Sequence, residues 1–473
     1  MATRKFILFE LNEVPFSVID YYTRKYPTSF LAKTLPKCAQ IETVTEDEGE
    51  LSPWITWPTF HRGVTNVKHK IKDFGENLEK VDKAYPTIWK ILSDNQLQPG
   101  VFASMHTFPM PENYTDYSFF IPDPFASDSK LHPAKLEPFQ KFNLAMSRKS
   151  GRNVDSGIDL KSASELAINL PSMGIKVKTL VDVAGQIVSE RLDGWKKNRR
   201  RVFQPVLAFD IFSKLIRTKK PTFATFFSNH VASTMHRYWA ATFPNDYKEY
   251  NLSDDWKNKF SGEIDFAFSK FEDFFENLVK FADQNPEYKI VVASSMGQEA
   301  TKAEKLSTEL YCKNMDKFTS FLGLQKNDWE QKIAMHPQYN LTVTYDKIDL
   351  FAKALKEIFI NGKPLVFRKK EGGFFSINLG HRNLEEDQIS FKGVTVKLSE
   401  LGLVNEQIDD ESDGTAYHIP EGSMIIYDPQ DTSVKNSRIS GVKTTSFVPT
   451  ILENFKIPVP DYMEESRIKE LLK

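Results

Sequence analysis

The sequence predicts an α/β protein with a mainly parallel sheet covered by helices on both faces, a helical insertion and a small α+β cap. Three features carry this reading. Continuous apolar runs at 5–11, 221–228 and 288–294 have the length and the Val, Ile and Phe content of strands buried on both faces. Segments such as 86–92 and 264–281 place apolar residues at helical spacing. Strand and helix patterns alternate along the chain, the order that crossover connections give a parallel sheet.

Taken in order, the first strand is the run Phe6-Ile7-Leu8-Phe9, closed by Glu10. A helix over 86–92 and a strand over 100–104 follow, then the strand over 221–228, the helix over 264–281 and the strand over 288–294. The tail returns to core character with a strand over 423–427 and a helix over 449–455. These elements assign 1–106, 221–319 and 406–473 to one core. The stretch 107–220 opens with Pro-rich aromatic loops and ends in helix, and reads as an insertion. Its basic run Lys196-Lys-Asn-Arg-Arg-Arg201 reads as a solvated helix face, with a phosphate-gripping lid as the sharper alternative. The stretch 320–405 reads strand, helix, strand at 341–345, 347–358 and 373–378, a small cap on the main sheet.

Composition excludes several classes. With 40% hydrophobic and 26% charged residues over 473 positions, the chain is long and apolar enough for a large core. Lys and Arg total 62 against 63 Asp and Glu, a net charge of -1 that gives no reason to expect nucleic acid or a membrane as a bulk partner. Cys38 and Cys312 belong to no spaced motif, so neither a disulfide framework nor a cysteine zinc site is expected. The apolar run at 6–9 is too short for a signal-peptide core, and no window suits a spanning helix. A cytoplasmic location is the expectation. Oligomeric state is not legible.

Ligands of a parallel sheet gather at the carboxyl ends of its strands. The first strand delivers Asn12 and Glu13 there, and the strand over 221–228 delivers Asn229 and His230, with His236 and Arg237 beyond them. Ser294 and Ser295 follow the strand over 288–294, and His418 precedes the last one. Thr56, in Ser52-Pro-Trp-Ile-Thr-Trp-Pro-Thr-Phe-His61, reads as lying near the start of a helix, whose free N–H groups suit a phosphate or sulfate. His230, His236 and His418 suit one zinc with an open position, although an isolated histidine is more often a hydrogen-bonded structural residue. Glu13 is a candidate base or replacement ligand, while Glu10, further back on the strand, reads as structural. His61 and His69 are candidate contacts to a substrate anion.

Four stretches, in this order, resemble the alkaline phosphatase superfamily, especially its type I phosphodiesterase and nucleotide pyrophosphatase branch. Residues 6–13 resemble the first strand, which in the family ends in Asp-Gly. Thr56-Trp-Pro-Thr-Phe-His61, with Gly63-Val-Thr65 and His69-Lys-Ile71, resembles the nucleophile segment. Val291-Val-Ala-Ser-Ser-Met-Gly297 resembles the strand that ends Ser-Asp-His-Gly, and Gly414-Thr-Ala-Tyr-His418, with 448–452 and 457–460, resembles the closing His motif and terminal helix. The resemblance implies two divalent ions held by three Asp and three His, with Thr56 as nucleophile and His236 and His418 as ligands.

The match is lopsided. Asn12 stands at the first Asp, Ser295 and Met296 stand at the Asp-His pair, and Ala232 stands four residues before His236. Amide and hydroxyl oxygens bring no negative charge, and a thioether is a poor ligand for zinc or magnesium. The resemblance therefore implies a divergent phosphate- or sulfate-ester hydrolase or transferase acting on a small molecule. In this reading Thr56, His236 and Glu13 are catalytic, Asn12, His61, His69, Asn229, Arg237 and Ser295 bind substrate, and His230, His236 and His418 hold one divalent ion, zinc, or none. A non-catalytic protein binding a phosphorylated metabolite or glycan, and a metal-free acid–base enzyme, are the alternatives.

Overall fold

The computed structural model describes residues 3–148, 170, 172–303, 305–408, 414–435, 437–463 and 466–472. Among them an eight-stranded sheet forms the centre. Six of its strands are β1 (Lys5–Leu11), β2 (Ala39–Val44), β3 (Gly100–Phe102), β4 (Phe119–Ile121), β5 (Phe223–Ser228) and β6 (Tyr288–Ala293). The order across the sheet is Arg438–Lys443, β2, Glu421–Tyr427, β6, β1, β5, β3, β4. β1 lies parallel to β5 and β6, and β3 lies parallel to β4 and β5. Only Glu421–Tyr427 runs against its neighbours β2 and β6. The sheet is mainly parallel, with helices on both faces.

Alternation of side chains divides β1 between two apolar cores. Ile7, Phe9 and Leu11 enter one and Phe6 and Leu8 the other. On the first face the Phe9 ring lies 5.3 Å from Phe226 and 5.6 Å from Phe271. Phe271 belongs to the helix Glu263–Gln284, whose buried Ile264, Phe268, Phe271, Phe275, Leu278 and Ala282 recur every three to four residues. On the second face Trp57 and Phe60 of the helix Pro53–Arg62 pack beneath the sheet, Phe60 lying 4.6 Å from Phe447. Gly63, at φ 66°, ends that helix in the left-handed region.

The stretch 107–220 is not wholly an addition to the core, because β4 within it closes one edge of the sheet. Three residues between Pro-rich loops are too few to show a period. Part of its loop-to-helix run, 149–169 and 171, lies outside the described residues. The basic run is not simply a solvated face. Arg199 forks onto Glu263 at 2.9 and 2.6 Å, and Arg200 forks onto Glu190 at 2.9 and 2.7 Å. The cap contains two four-stranded antiparallel sheets around a core including Leu341, Phe351 and Phe375, and it extends beyond 320–405, because Thr308–Cys312 pairs with Leu403–Gln407 and Leu310 packs in the same core. Arg368 Nε on Asp73, at 3.1 Å, and Asn340 on the Phe74 carbonyl, at 2.7 Å, tie it to the segment after the helix Pro53–Arg62.

Candidate metal and catalytic centre

A cleft of about 1530 Å³ lies between the cap and the carboxyl ends of β1 and β5. Glu13, His236 and His418 meet at its floor. Each is positioned by a different element: Glu13 follows β1, His236 lies in the helix His230–Thr242, and His418 lies in the strand Ala416–Ile419. Glu13 Oε2 is 2.8 Å from His236 Nε2 and 3.4 Å from His418 Nε2. The three ligand atoms lie within 4.8 Å of one another, the separation that one ion bridges.

The far side of each ring fixes its tautomer. His236 Nδ1 donates to the Ala416 carbonyl at 2.8 Å, and His418 Nδ1 donates to the Leu51 carbonyl at 2.7 Å. Carbonyl oxygens only accept, so both Nδ1 atoms carry hydrogen and both Nε2 atoms turn toward Glu13. Two bare Nε2 lone pairs beside a carboxylate repel one another. The set is satisfied by a cation between them or by a proton on an imidazole. Burial acts to raise the Glu13 carboxyl, but His418 and His236 outweigh it and hold the group well below the usual carboxylate range. Burial likewise opposes charge on His418, yet Glu13 raises its pKa above the ordinary imidazole value.

Glu13 is held from behind. Its Oε1 accepts from Asn12 Nδ2 at 2.7 Å, and Gln298 Nε2 donates to its Oε2. Its backbone stands at φ 59°, a left-handed conformation uncommon outside glycine. Asn12 is fully engaged: Nδ2 also donates to Asn229 Oδ1 at 2.7 Å, and Oδ1 accepts from Trp57 Nε1 at 2.8 Å. Asn229 and Arg237 line the cleft, where Arg237 Nη1 donates to Ser233 O and Oγ at 2.7 and 2.9 Å.

Several anticipated site residues stand elsewhere. His230 does not complete a three-histidine set: Ser228 Oγ lies 2.6 Å from its Nδ1, and its Nε2 donates to the Ala267 carbonyl at 3.1 Å. Glu13 takes the third place. Thr56 is not at the helix cap, because Ser52 is the cap and Pro53 the first helical residue. The Thr56 hydroxyl is fully buried, donates to the Ser52 carbonyl at 3.2 Å and pairs with Ser295 Oγ at 2.7 Å. Neither Thr56 nor Ser295 lines the cleft, and each hydroxyl is engaged with the other. His61 is buried against Glu10 at 2.8 Å and stacks on Trp57. His69 is buried between Thr59 Oγ1, at 2.9 Å, and the Ile71 N–H, at 3.0 Å. Both rings are buried on partners inside the core, and neither lines the cleft.

Gln298 and Tyr417 were not anticipated. Gln298 also donates to the Ala232 carbonyl at 3.2 Å, and Tyr417 packs 4.4 Å from the His418 ring. The one sequence signal for Gln298 was its place beside Gly297, just past the motif that resembles a strand ending in metal ligands.

No protein-family model and no curated protein matches the chain. Among solved structures, the chain is similar to murine ectonucleotide pyrophosphatase/phosphodiesterase 5, at 11% identity and TM-score 0.43 over 97% of this chain and 96% of that one. It is also similar to phosphonoacetate hydrolase from Sinorhizobium meliloti 1021 in complex with phosphonoformate, at 12% identity and TM-score 0.39 over 96% of each chain. A third is alkaline phosphatase from the Antarctic bacterium TAB5, at 10% identity and TM-score 0.35 over 96% of this chain and 99% of that one.

Proposed function

We propose that the chain is a hydrolase of small phosphate or sulfate esters that works with one divalent ion held by Glu13, His236 and His418. The observation that supports this is the convergence of two Nε2 atoms on Glu13 Oε2, each ring oriented by an Nδ1–H bond to a backbone carbonyl. Two imidazoles and a carboxylate with further positions open form a donor set that catalytic zinc takes. Such an ion supplies charge stabilisation at a transferring group and acidifies the water it binds. The chain's own residues do the remainder. Asn12 and Gln298 hold the Glu13 carboxylate in place, while Asn229 and Arg237 offer polar contacts to substrate on the cleft wall. The attacking group is water rather than Thr56, whose hydroxyl is buried against Ser295.

A metal-free acid–base centre is the second reading, favoured by the mutual shifts that lower the Glu13 pKa and raise that of His418. Elemental analysis of the purified chain, with turnover of aryl phosphates, phosphodiesters and sulfates before and after chelation, separates the readings. One ion per chain, and turnover lost to chelator and restored by zinc, is expected. Turnover without metal establishes the acid–base centre instead, and binding of a phosphorylated ligand without turnover in the zinc-loaded chain establishes a sensor.

A further inference from the structure

The cleft that holds Glu13, His236 and His418 has two chemically different sides. Its charged lining residues Lys302, Lys313, Arg382 and Glu406 come from the cap and the segment that leads into it. The other side is built at the carboxyl ends of strands, from apolar side chains. β1, β5, β3 and β4 are successive neighbours in the sheet and run parallel. Moving across them from Glu13, the lining passes to Phe227 on β5, then Phe102 and Met105 at the end of β3, then Phe125 after β4. Two helices of the 107–220 stretch cover this arm, contributing Phe139 from Glu137–Arg148 and Ala208 from Arg200–Lys219. The Phe139 ring lies 6.0 Å from Phe102, so the cover reaches down to the strand ends.

Neighbouring strands lie about 4.8 Å apart, so the three steps from β1 to β4 make an arm about 14 Å long. That is longer than a single aromatic ring. Among the described residues, Arg201 is the one charged group lining this side, two turns before Ala208. The polar Gln204 and Asn143 are turned onto each other at 2.6 Å. Phe102, Met105, Phe139, Ala208 and Phe227 are all buried, which makes the arm a narrow apolar slot and not an open surface. Its occupant follows from continuity. The arm belongs to the same cavity as the centre, so it receives whatever is joined to a group held at Glu13, His236 and His418.

We infer that the arm takes the extended aliphatic chain of an ester whose phosphate or sulfate head lies at the centre. This rests on the reading above for the head and adds the class of the alcohol. Each methylene that leaves water for such a slot strengthens binding about fourfold. The 107–220 stretch thereby acquires a task, closing the apolar side of the cleft with two of its helices.

Calorimetric titration of the zinc-loaded full chain with methyl-, butyl- and octylphosphonate tests it. Octylphosphonate is expected to bind about 100-fold more tightly than butylphosphonate. Ala208→Leu fills the arm and Phe125→Ser removes part of its wall, and each should lower the octyl-to-methyl affinity ratio about tenfold or more. Circular dichroism verifies folding, and Phe125, half-buried in a turn, serves where Ala208→Leu does not fold. Equal affinity for the three phosphonates, no binding of any, or a ratio that the folded variants retain overturns the inference. Binding that grows with chain length, without turnover of any ester, keeps the arm and removes the hydrolase. Ester turnover with no dependence on chain length does the reverse.

Discussion

Replacing Glu13 by Gln keeps the volume of the side chain and removes its charge, which makes it the sharpest probe of the centre. Asn12 Nδ2 faces Oε1 at 2.7 Å, and Gln298 Nε2 with both imidazoles faces Oε2. Whichever way the new amide turns, its NH₂ meets at least one donor. The variant also loses the one carboxylate of the three-residue set. Loss of a group that merely supports a ligand costs about 10–100-fold in metal affinity, so loss of the ligand itself costs at least about 100-fold. At a zinc concentration of about 100 times the wild-type Kd, binding stabilises the wild type by about 2.7 kcal/mol. In the variant the same concentration no more than equals the weakened Kd, and stabilisation falls to about 0.4 kcal/mol. Scanning calorimetry with zinc and with chelator reads the difference, about 2 kcal/mol, as a zinc-dependent rise in Tm of a few degrees that Glu13→Gln abolishes. A variant stabilised by zinc as strongly as wild type refutes the assignment of Glu13 as a ligand.

Three further outcomes follow from the hydrogen-bond pattern. Thr56→Ala leaves Ser295 Oγ without its 2.7 Å partner, so it lowers stability by about 1–2 kcal/mol while ester turnover stays within a few-fold of wild type; a loss of several orders of magnitude restores Thr56 as nucleophile. Burial pushes the His69 and His230 pKa values down to about 3, whereas the unfolded chain binds these protons near pH 6.5. Their contribution is therefore complete above about pH 6.5 and is lost as pH falls toward 3. Each accounts for about 2 kcal/mol between pH 7.5 and pH 5, and denaturant titrations of His230→Asn should lose that much of the wild-type pH dependence. Arg368→Ala strands the buried Asp73 carboxylate and should cost about 3 kcal/mol, read as earlier proteolysis of the cap in a denaturant series.

The sheet was legible where strands are buried on both faces. β1, β5 and β6 are continuous apolar runs, and the phenylalanines of Glu263–Gln284 give an unmistakable helical period. Arg438–Lys443, at the edge, and β2, next to it, were hidden because both are partly exposed and carry Gln, Glu and Arg among their residues. In the site, His236 and His418 were anticipated together as ligands of one ion, and Glu13 as a candidate base or replacement ligand. That Glu13 and not His230 joins them was not, because the sequence offered His230 on equal terms. Only the Ser228 and Ala267 bonds reveal that its ring is turned into the core. Thr56 illustrates the converse: its segment resembles a nucleophile motif, but Asn12 and Ser295 stand where the resemblance calls for carboxylates to hold a metal beside such a hydroxyl. A hydroxyl without that partner finds another nearby, here Ser295 Oγ.

Positions 12 and 13 divide their work. The first strand ends in Asn12 and Glu13, an amide followed by a carboxylate. Though adjacent in the chain, the two side chains serve different partners. Asn12 points toward the helix Pro53–Arg62, where Trp57 binds its oxygen. Glu13, in the left-handed region at φ 59°, points toward His236 and His418. A glycine holds that conformation without cost, whereas a glutamate carries a strain of about 1–2 kcal/mol. The strain is offset by four partners on the carboxylate: Asn12, Gln298 and the two imidazoles. On the other side, with an amide and no carboxylate at position 12, Thr56 and Ser295 close on each other. Glu13 depends on the histidines, since without them it would be a buried and strained anion with no cationic partner.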